Sequence, residues 1–415
     1  MKKVLIICDL FPPAFGPRMG YLCKYLKYYG WEPVVLTESI EDNTFAFLAN
    51  KCKVVYVNYY TAKGAFARNL QWIGTILLDF CFGYKDIRLF KEAKKLVEKE
   101  PFELVLCSSF RTFPLPAAYK VAQKYQLPLV VDLRDIIEQY TNDEFISHPF
   151  PSLFGLNKLF ISIFKRKMLS SRNRVLRQAN FITTISPWHV NILKQYNPNI
   201  ELIYNGFDPE LFQPKQEKTD QFIITYTGRL LSTAMRDPGL FLEALRILSE
   251  EKVLTPQNCQ VHWYVDEASW KIISEVAKMW GTLPFMHFKG YVPASHIPSV
   301  LNSSSIILLL TNRASGSGPK GIMTTKFFES LAVEKPILCV RSDESYLAET
   351  IKETNAGLAA TNVNEVCDFI QFHYNEWKEK GYTTSSVKKD KLNLFSRKEQ
   401  AKQFIQIFEK VQTHG

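Results

Sequence analysis

The sequence of 415 residues contains no apolar run of the roughly 18 to 20 residues that a membrane-spanning helix needs. The apolar run after Met1-Lys2-Lys3 is only about five residues long and stops at Asp9, whereas a secretory signal has an apolar core of about 7 to 15 residues. This run therefore predicts a buried first strand, and we expect the protein to stay in the cytoplasm.

The cysteine spacing of zinc sites and disulfide frameworks is also missing. The eight cysteines are scattered without a C-x-x-C pair, and none of the seven histidines has a second histidine four residues away. We expect reduced cysteines that are buried as small apolar residues, and no metal site.

Two glycine-rich nucleotide motifs are absent. Gly316 and Gly321 are followed by Ile322, where a Walker A loop needs a lysine. The first apolar run is not followed by G-x-G-x-x-G, because Gly16 and Gly20 stand alone. These absences disfavour a P-loop nucleotide-binding protein and an NAD-binding enzyme.

Residues 145–200 contain no Asp or Glu. The whole chain carries a formal charge of +10, so positive charge is concentrated in this stretch. Bulky apolar residues there are interleaved with basic ones: Lys158, Lys165, Arg166, Lys167, Arg172, Arg174, Arg177 and Lys194. A basic helix with a bulky apolar face is typical of a helix that lies on a membrane, so residues 150–178 predict contact with a lipid surface. The alternative is a helix between domains whose lysines are merely solvated. The run matches no nucleic-acid-binding motif, and we expect no nucleic acid partner.

Short apolar runs alternate with amphipathic segments through the rest of the chain. Runs typical of buried parallel strands occupy residues 4–8, 33–37, 53–57, 104–107, 129–132, 181–185 and 200–204, and again 222–226, 261–265, 287–288, 306–310 and 336–340. Helical periodicity separates them, for example at residues 18–29, 89–99, 115–125, 240–248 and 326–332. This alternation predicts doubly wound parallel sheets.

A chain of this length favours two domains. We predict the α/β class, with two Rossmann-like domains that face a cleft: residues 1–205 on the acceptor side, and residues 206–390 on the nucleotide side. Residues 391–415 form a crossing helix that packs back on the first domain, with an apolar face of Phe404, Ile405, Ile407 and Phe408.

Residues 315–332 follow the apolar run at 306–310 and combine glycines with the start of a helix. Thr324 or Thr325 is suited to cap that helix, whose free backbone N–H groups would attract an anion. Lys320 and Lys326 would add positive charge, and Glu329 would accept hydrogen bonds from the hydroxyls of a ribose. The alternative is an ordinary loop before a helix.

Several segments resemble, in order, the motifs of family-4 retaining glycosyltransferases of the GT-B superfamily. Residues 326–338 resemble the donor-site helix and strand, and residues 204–212, Tyr-Asn-Gly-Phe-Asp-Pro-Glu-Leu-Phe, resemble the entry into the second domain. Residues 226–230 resemble that domain's first strand and loop. Residues 9–16 resemble the family's first loop, and residues 131–135 a segment after a central strand. The resemblance spans nearly the whole chain.

This resemblance implies a donor site and its residues. Arg229, beside Gly228, would neutralise the donor diphosphate, with Lys320 and Lys326 as further phosphate contacts, and Glu329 would hold the ribose. Gly16 would let the first loop approach the donor. The leaving phosphate itself can assist the acceptor hydroxyl in this family, so the resemblance implies no metal and no cofactor besides the nucleoside-diphosphate sugar.

The sequence departs from the family's pattern at three places. Gly321 occupies the position of the first of two glutamates that the family places eight residues apart. Ala234 stands where the family has a second basic residue, and Arg236 is the nearest substitute. A histidine often found after the fourth strand is absent, and we expect Asp135 or Arg134 to supply the catalytic polar contact. A structural salt bridge within the Asp132-Arg134-Asp135 cluster is the alternative.

These observations together predict a glycosyltransferase that moves a sugar, with retention, from a nucleoside-diphosphate sugar to a glycan or lipid-linked acceptor. The expected role is surface or capsular polysaccharide synthesis at the inner face of the cell membrane. A nucleotide-sugar 2-epimerase of the same fold would share the donor site and differ in its product. A catalytically inactive scaffold or binding protein of this fold is the alternative from another class.

Overall fold

The computed structural model describes residues 1–140, 157–311, 321–341 and 345–413. It divides into two compact units. Unit 1 comprises Met1–Tyr204 with Arg397–Gly415, and unit 2 comprises Asn205–Ser396.

Unit 1 is built around a seven-stranded parallel sheet in the order β3-β2-β1-β4-β5-β6-β7. Two of its central strands, β4 and β5, are buried along their length and β1 is buried from Val4 onward, which is why their sequences are largely apolar on both faces. The elements before residue 204 are β1 (Lys2–Cys8), α1 (Pro17–Leu26), β2 (Trp31–Glu38), β3 (Lys53–Val57), α2 (Ala65–Phe82), α3 (Tyr84–Lys99), β4 (Leu104–Ser109), α4 (Leu115–Tyr125), β5 (Leu129–Leu133), α5 (Asn157–Gln178), β6 (Phe181–Thr184), α6 (Pro187–Leu193) and β7 (Ile200–Leu202).

Unit 2 repeats this design with a six-stranded parallel sheet in the order β10-β9-β8-β11-β12-β13. Its elements are β8 (Phe222–Thr227), α7 (Gly239–Glu250), β9 (Cys259–Tyr264), α8 (Glu267–Met279), β10 (Met286–Phe288), α9 (Ile297–Asn302), β11 (Ile306–Leu310), α10 (Thr325–Ala332), β12 (Ile337–Val340), α11 (Ser345–Thr354), β13 (Gly357–Ala360), α12 (Val363–Lys380) and α13 (Lys389–Leu394).

The strand order reverses once in each sheet, between β1 and β4 in unit 1 and between β8 and β11 in unit 2. Ligands of open α/β sheets bind at such a switch point, beyond the carboxyl ends of the strands. The two sheets confirm the predicted α/β class of two doubly wound Rossmann-like domains.

The last helix, α14 (Arg397–Thr413), returns to unit 1. The predicted apolar face is buried there, and Phe408 packs edge-on against Trp31 with ring centroids 5.1 Å apart. The expectation that the tail packs back on the first domain is confirmed.

All eight cysteines are free thiols. Most are buried or partly buried as expected, but Cys81 is exposed. The expectation of buried cysteines is wrong at this position because Cys81 lies on α2, a helix whose apolar side chains face solvent. No helix among the described residues is both long and apolar enough to cross a membrane.

Candidate functional site

The switch point of unit 2 brings together residues from three segments. Gly228 and Arg229 follow β8, Thr311 follows β11, and α10 begins at Thr325. These segments line a small cavity of about 40 Å³ whose walls are Tyr226, Met235, Arg236, Leu309, Leu310, Thr311, Ile322, Thr324, Lys326 and Leu347.

Lys326 is the second residue of α10, and its side chain reaches back to the end of β8. Its ammonium donates to the Tyr226 hydroxyl at 3.3 Å and lies 4.6 Å from the centre of that ring. A Cβ atom at Gly228, whose φ is +98°, would lie 2.4 Å from Nζ of Lys326. A glycine at position 228 therefore leaves room for the lysine.

Burial holds the pKa of Lys326 well below its usual range, and the positive charge of Arg236 lowers it further. The carboxylate of Glu329, one turn further along α10, opposes these effects and raises this pKa in part. The ammonium charge is thus disfavoured in the protein alone, and an anion placed beside it would favour the charged form.

Arg236 lines the cavity, and Arg229 is in contact with Arg236. The side chain of Arg229 is 64% exposed, and its Nε is 3.3 Å from the carboxylate of Asp266, which also caps α8. Arg236 donates to the backbone carbonyl of Arg229. The predicted residues Gly228, Arg229, Arg236 and Lys326 are therefore brought together by the structure.

The first turn of α10 has no side-chain cap. Thr324 is the N-cap residue, and its side chain makes no capping hydrogen bond to the first turn. Gly321, at the position of the family's first glutamate, has a φ of +65° and is buried. The predicted phosphate contact Lys320 lies outside the described residues.

Two further polar groups lie at this edge and were not predicted from the sequence. The Tyr226 hydroxyl donates to the carbonyl of Arg229 at 3.1 Å, and burial raises the pKa of Tyr226 to about 12. Arg341 follows β12, and its Nε is 2.8 Å from Asp237. In the sequence, Tyr226 has the pattern of a core residue in an apolar strand, and Arg341 belongs to no motif. Their position at this edge is therefore evident only from the fold.

The switch point of unit 1 carries charged residues too. Asp9, just after β1, pairs with Arg134, just after β5, and accepts the backbone N–H of Phe110 at 3.1 Å. The loop that follows Asp9 is closely packed at Gly16. A Cβ atom there would lie 2.7 Å from the carbonyl oxygen of Leu10, so this packing requires glycine.

Asp135 is partly exposed at the same edge. Burial raises the pKa of Asp135 to about 6, although Gln139 and the positive charges of Arg134 and Arg111 act against this. Gln139 donates to Asp135 at 3.0 Å and also contacts His189, which is buried. Asp135 is therefore a carboxyl group that changes charge near pH 6.

Asp132 has a structural partner instead. Its carboxylate is buried and accepts from Arg18 at 2.9 Å, from Thr183 at 2.7 Å and from Ser108 at 3.0 Å. The alternative of a salt bridge within the Asp132-Arg134-Asp135 cluster is wrong in its partners, because Asp132 pairs with Arg18 and Arg134 pairs with Asp9.

Among the residues that the structure describes, no three His, Cys, Asp or Glu side chains are grouped as ligands for a metal ion.

Residues 18–211 match the model of Glycosyltransferase Family 4, which covers most of unit 1. No curated protein sequence matches the chain significantly.

Solved structures match the whole chain in fold. HepE of Anabaena, solved with UDP, is 14% identical with a TM-score of 0.67, and the match covers 99% of this chain and 100% of HepE; HepE has also been solved with UDP-glucose. A glycosyltransferase of Rickettsia africae is 13% identical with a TM-score of 0.63, covering 99% of this chain and 98% of that one. The lipopolysaccharide outer core galactosyltransferase WaaB is 12% identical with a TM-score of 0.57, covering 98% and 99%.

At these identities the likeness to solved structures shows a shared fold, and the family match at residues 18–211 adds the kind of enzyme. The chain has the GT-B fold of two Rossmann-like domains, and its residues 18–211 match the model of a glycosyltransferase family.

Proposed function

We propose that unit 2 binds the nucleoside diphosphate of a sugar donor at the carboxyl ends of β8 and β11. The observation that carries this proposal is Lys326, a partly buried lysine whose ammonium lies against Tyr226 and Gly228 at the end of β8 and whose pKa is lowered there. The N-terminus of α10, which lacks a side-chain cap, and the exposed guanidinium of Arg229 would offer further donors to the same anion. HepE, of the same fold, has been solved with UDP and with UDP-glucose, which makes UDP-sugars the first donors to test.

The proposed chemistry needs positive charge where the leaving group forms. When the bond from the sugar's anomeric carbon to the diphosphate breaks, negative charge grows on the diphosphate. Lys326, Arg229 and Arg236, with Lys320, would stabilise this charge, and the α10 N–H groups would add fixed dipoles. We propose that these groups suffice without a metal ion, that Gly16 and Gly228 admit the donor, and that Glu329 binds the ribose.

We assign the acceptor side to unit 1 and transfer with retention of anomeric configuration. Asp135 and Arg134 are the proposed polar contacts of the reacting groups. A carboxyl with a pKa of about 6 is ionised at neutral pH and is able to accept a hydrogen bond from an acceptor hydroxyl.

We further propose a glycan or lipid-linked acceptor in surface polysaccharide synthesis, at the inner face of the cell membrane. The acid-free basic stretch at residues 150–178 supports this proposal, since it is suited to an anionic lipid surface. WaaB, whose fold the chain shares, acts on lipopolysaccharide. Residues 150–156 of this stretch lie outside the described residues.

Product analysis tests this function. Purified protein would be incubated with radiolabelled nucleotide sugars, with and without a crude lipid extract, and the products separated by chromatography. The proposal predicts labelled lipid or glycan in which the transferred sugar keeps the anomeric configuration that it has in the donor. It also predicts about a hundredfold less product with Arg229→Ala. An epimerised nucleotide sugar without acceptor would identify a 2-epimerase. Absence of turnover with every donor would favour an inactive scaffold.

A further inference from the structure

Helix α2 presents its apolar side chains to solvent. Thr75 is its single buried residue. Phe66, Leu70, Ile73 and Leu77 recur at the spacing that normally faces a core, yet their exposed fractions are 79%, 55%, 49% and 59%. A water-soluble protein rarely leaves so continuous an apolar stripe uncovered, so this helix is suited to an apolar partner.

The first half of α5 extends the same surface. Leu159, Phe160 and Ile163 are exposed there, whereas the buried residues of this helix lie in its second half. Phe164 of α5 stacks on Phe80 of α2 with ring centroids 6.0 Å apart. We call the exposed apolar residues of the two helices the apolar platform: Phe66, Leu70, Trp72, Ile73, Ile76, Leu77, Leu78, Phe80, Phe82, Leu159, Phe160 and Ile163.

Lys167 joins the two helices at the edge of the platform. Its ammonium donates to the backbone carbonyl of Phe80 and lies 4.4 Å from the centre of the Phe80 ring. The first half of α5 therefore meets α2 at Phe80, near the C-terminal end of α2.

Positive charge surrounds the platform. Lys158, Arg166 and Lys167 are exposed on α5, and Lys63 precedes α2. The acids of α2 and its surroundings are fewer: Glu41 pairs with Arg68 at 3.6 Å, and Asp79 accepts the backbone N–H of Lys85 at 2.8 Å. An apolar face with a basic rim is complementary to an anionic bilayer, where acyl chains cover the apolar groups and headgroups neutralise the cations. A second copy would bring the same positive charge to the rim, which disfavours a dimer.

We propose that α2 and the first half of α5 lie in the headgroup region of an anionic lipid bilayer and hold the protein on it. None of the described helices can span a membrane, so the platform would lie along the surface rather than cross it. This proposal extends the membrane contact from residues 150–178 to α2. It does not depend on the sugar donor, because the platform belongs to unit 1 and the donor site to unit 2.

Sedimentation with vesicles tests the platform. The full-length protein would be spun with vesicles of phosphatidylcholine alone and with vesicles that contain an equal share of phosphatidylglycerol. We expect binding to the anionic vesicles, and at least about tenfold weaker binding when Leu70, Ile73 and Leu77 are all replaced by glutamine. Glutamine keeps helix propensity, and these positions are exposed, so the fold should persist.

Matched variants separate the platform from general effects. Phe372 is 66% exposed on α12 of unit 2, and Phe372→Gln should bind vesicles as the wild type does, whereas Phe66→Gln should bind less. Arg166→Gln with Lys167→Gln should weaken binding to anionic vesicles, and Lys271→Gln with Lys278→Gln on α8 should not. UDP binding, measured in parallel, reports on the donor site separately.

Trp72 offers a direct readout, because it is 37% exposed within the platform. Brominated acyl chains should quench part of the tryptophan fluorescence of the wild type, and this part should disappear in Trp72→Phe. The proposal is overturned if the wild type ignores anionic vesicles, if the glutamine variant binds them equally, or if light scattering shows a dimer that only the glutamine variant loses.

Discussion

Lys326 and Asp135 are ionisable side chains whose charged forms the protein disfavours. Burial lowers the pKa of Lys326 and raises the pKa of Asp135 to about 6. Asp132 is fully buried, but Arg18 and two hydroxyls offset the burial and hold the pKa of Asp132 below its usual range. A charge that its surroundings satisfy is structural, whereas a disfavoured charge at a sheet's switch point is available to a ligand.

The proton balance of UDP binding follows from Lys326. A diphosphate beside its ammonium would raise the pKa of this lysine. Binding should therefore take up a proton, and affinity should fall as the pH rises through the pKa of Lys326. Calorimetry in buffers of different ionisation enthalpy measures this uptake, at a pH where UDP itself is fully ionised. Lys326→Met should abolish the uptake and weaken binding at least about tenfold. Equal uptake in this variant would place the proton elsewhere.

Asp135 should make stability depend on pH. As the pH falls, this carboxyl takes up a proton at about pH 6 in the folded protein and only at a lower pH in the unfolded chain. Protonation therefore favours the folded state. The free energy of unfolding of the wild type relative to Asp135→Asn should therefore rise, by on the order of 1 kcal/mol, as the pH falls below 6. Urea denaturation at several pH values measures it. Asp220→Asn, at an exposed acid, is the control, and a difference that is constant with pH would contradict the assignment.

Individual residues of the site were only partly predictable. Lys326, Gly228 and Arg229 stand in recognisable motifs, so their meeting at one edge was foreseeable. The contact of Lys326 with Tyr226 joins residues 100 positions apart, and no local pattern encodes it. The ion pairs of Arg134 with Asp9 and of Arg18 with Asp132 are likewise long-range, which is why nearby residues were the wrong partners to consider.

Two helices show how far periodicity predicts packing. The apolar face of α14 was predicted and is buried in unit 1. Helix α2 has an equally clear apolar stripe but leaves it exposed. Periodicity reveals that a helix has an apolar face, whereas what covers the face depends on the elements that pack there.

Truncation of Phe408 should destabilise unit 1 through α14. Its ring is fully buried against Trp31, so Phe408→Ala removes packing and leaves a cavity, at a cost of about 3 to 5 kcal/mol. Phe372→Ala, at an exposed position on α12, should change stability by less than about 0.5 kcal/mol. Urea denaturation of both variants measures the difference, and equal effects would mean that α14 contributes little to unit 1.

The whole molecule places a switch point in each of two sheets. Apolar runs predicted the strands of both sheets except β13, since strands buried on both faces are distinctive in sequence, whereas β13 is a short edge strand that begins with a glycine. The switch point of unit 2 carries cationic side chains suited to a diphosphate. The switch point of unit 1 carries the carboxyl group of Asp135, and most of unit 1 matches the glycosyltransferase family model. We therefore propose that the donor binds unit 2, because of the charges there rather than because of a glycine motif.

Calorimetric titration with UDP tests this assignment most directly. The wild type, Arg229→Ala and Glu329→Ala would be compared with Lys271→Ala, which removes an exposed cation of unit 2 on α8. We predict saturable binding to the wild type and to Lys271→Ala, and at least about tenfold weaker binding to the other two variants, with all four proteins folded. Equal affinity in all four, or no binding to the wild type, would contradict the proposed donor site.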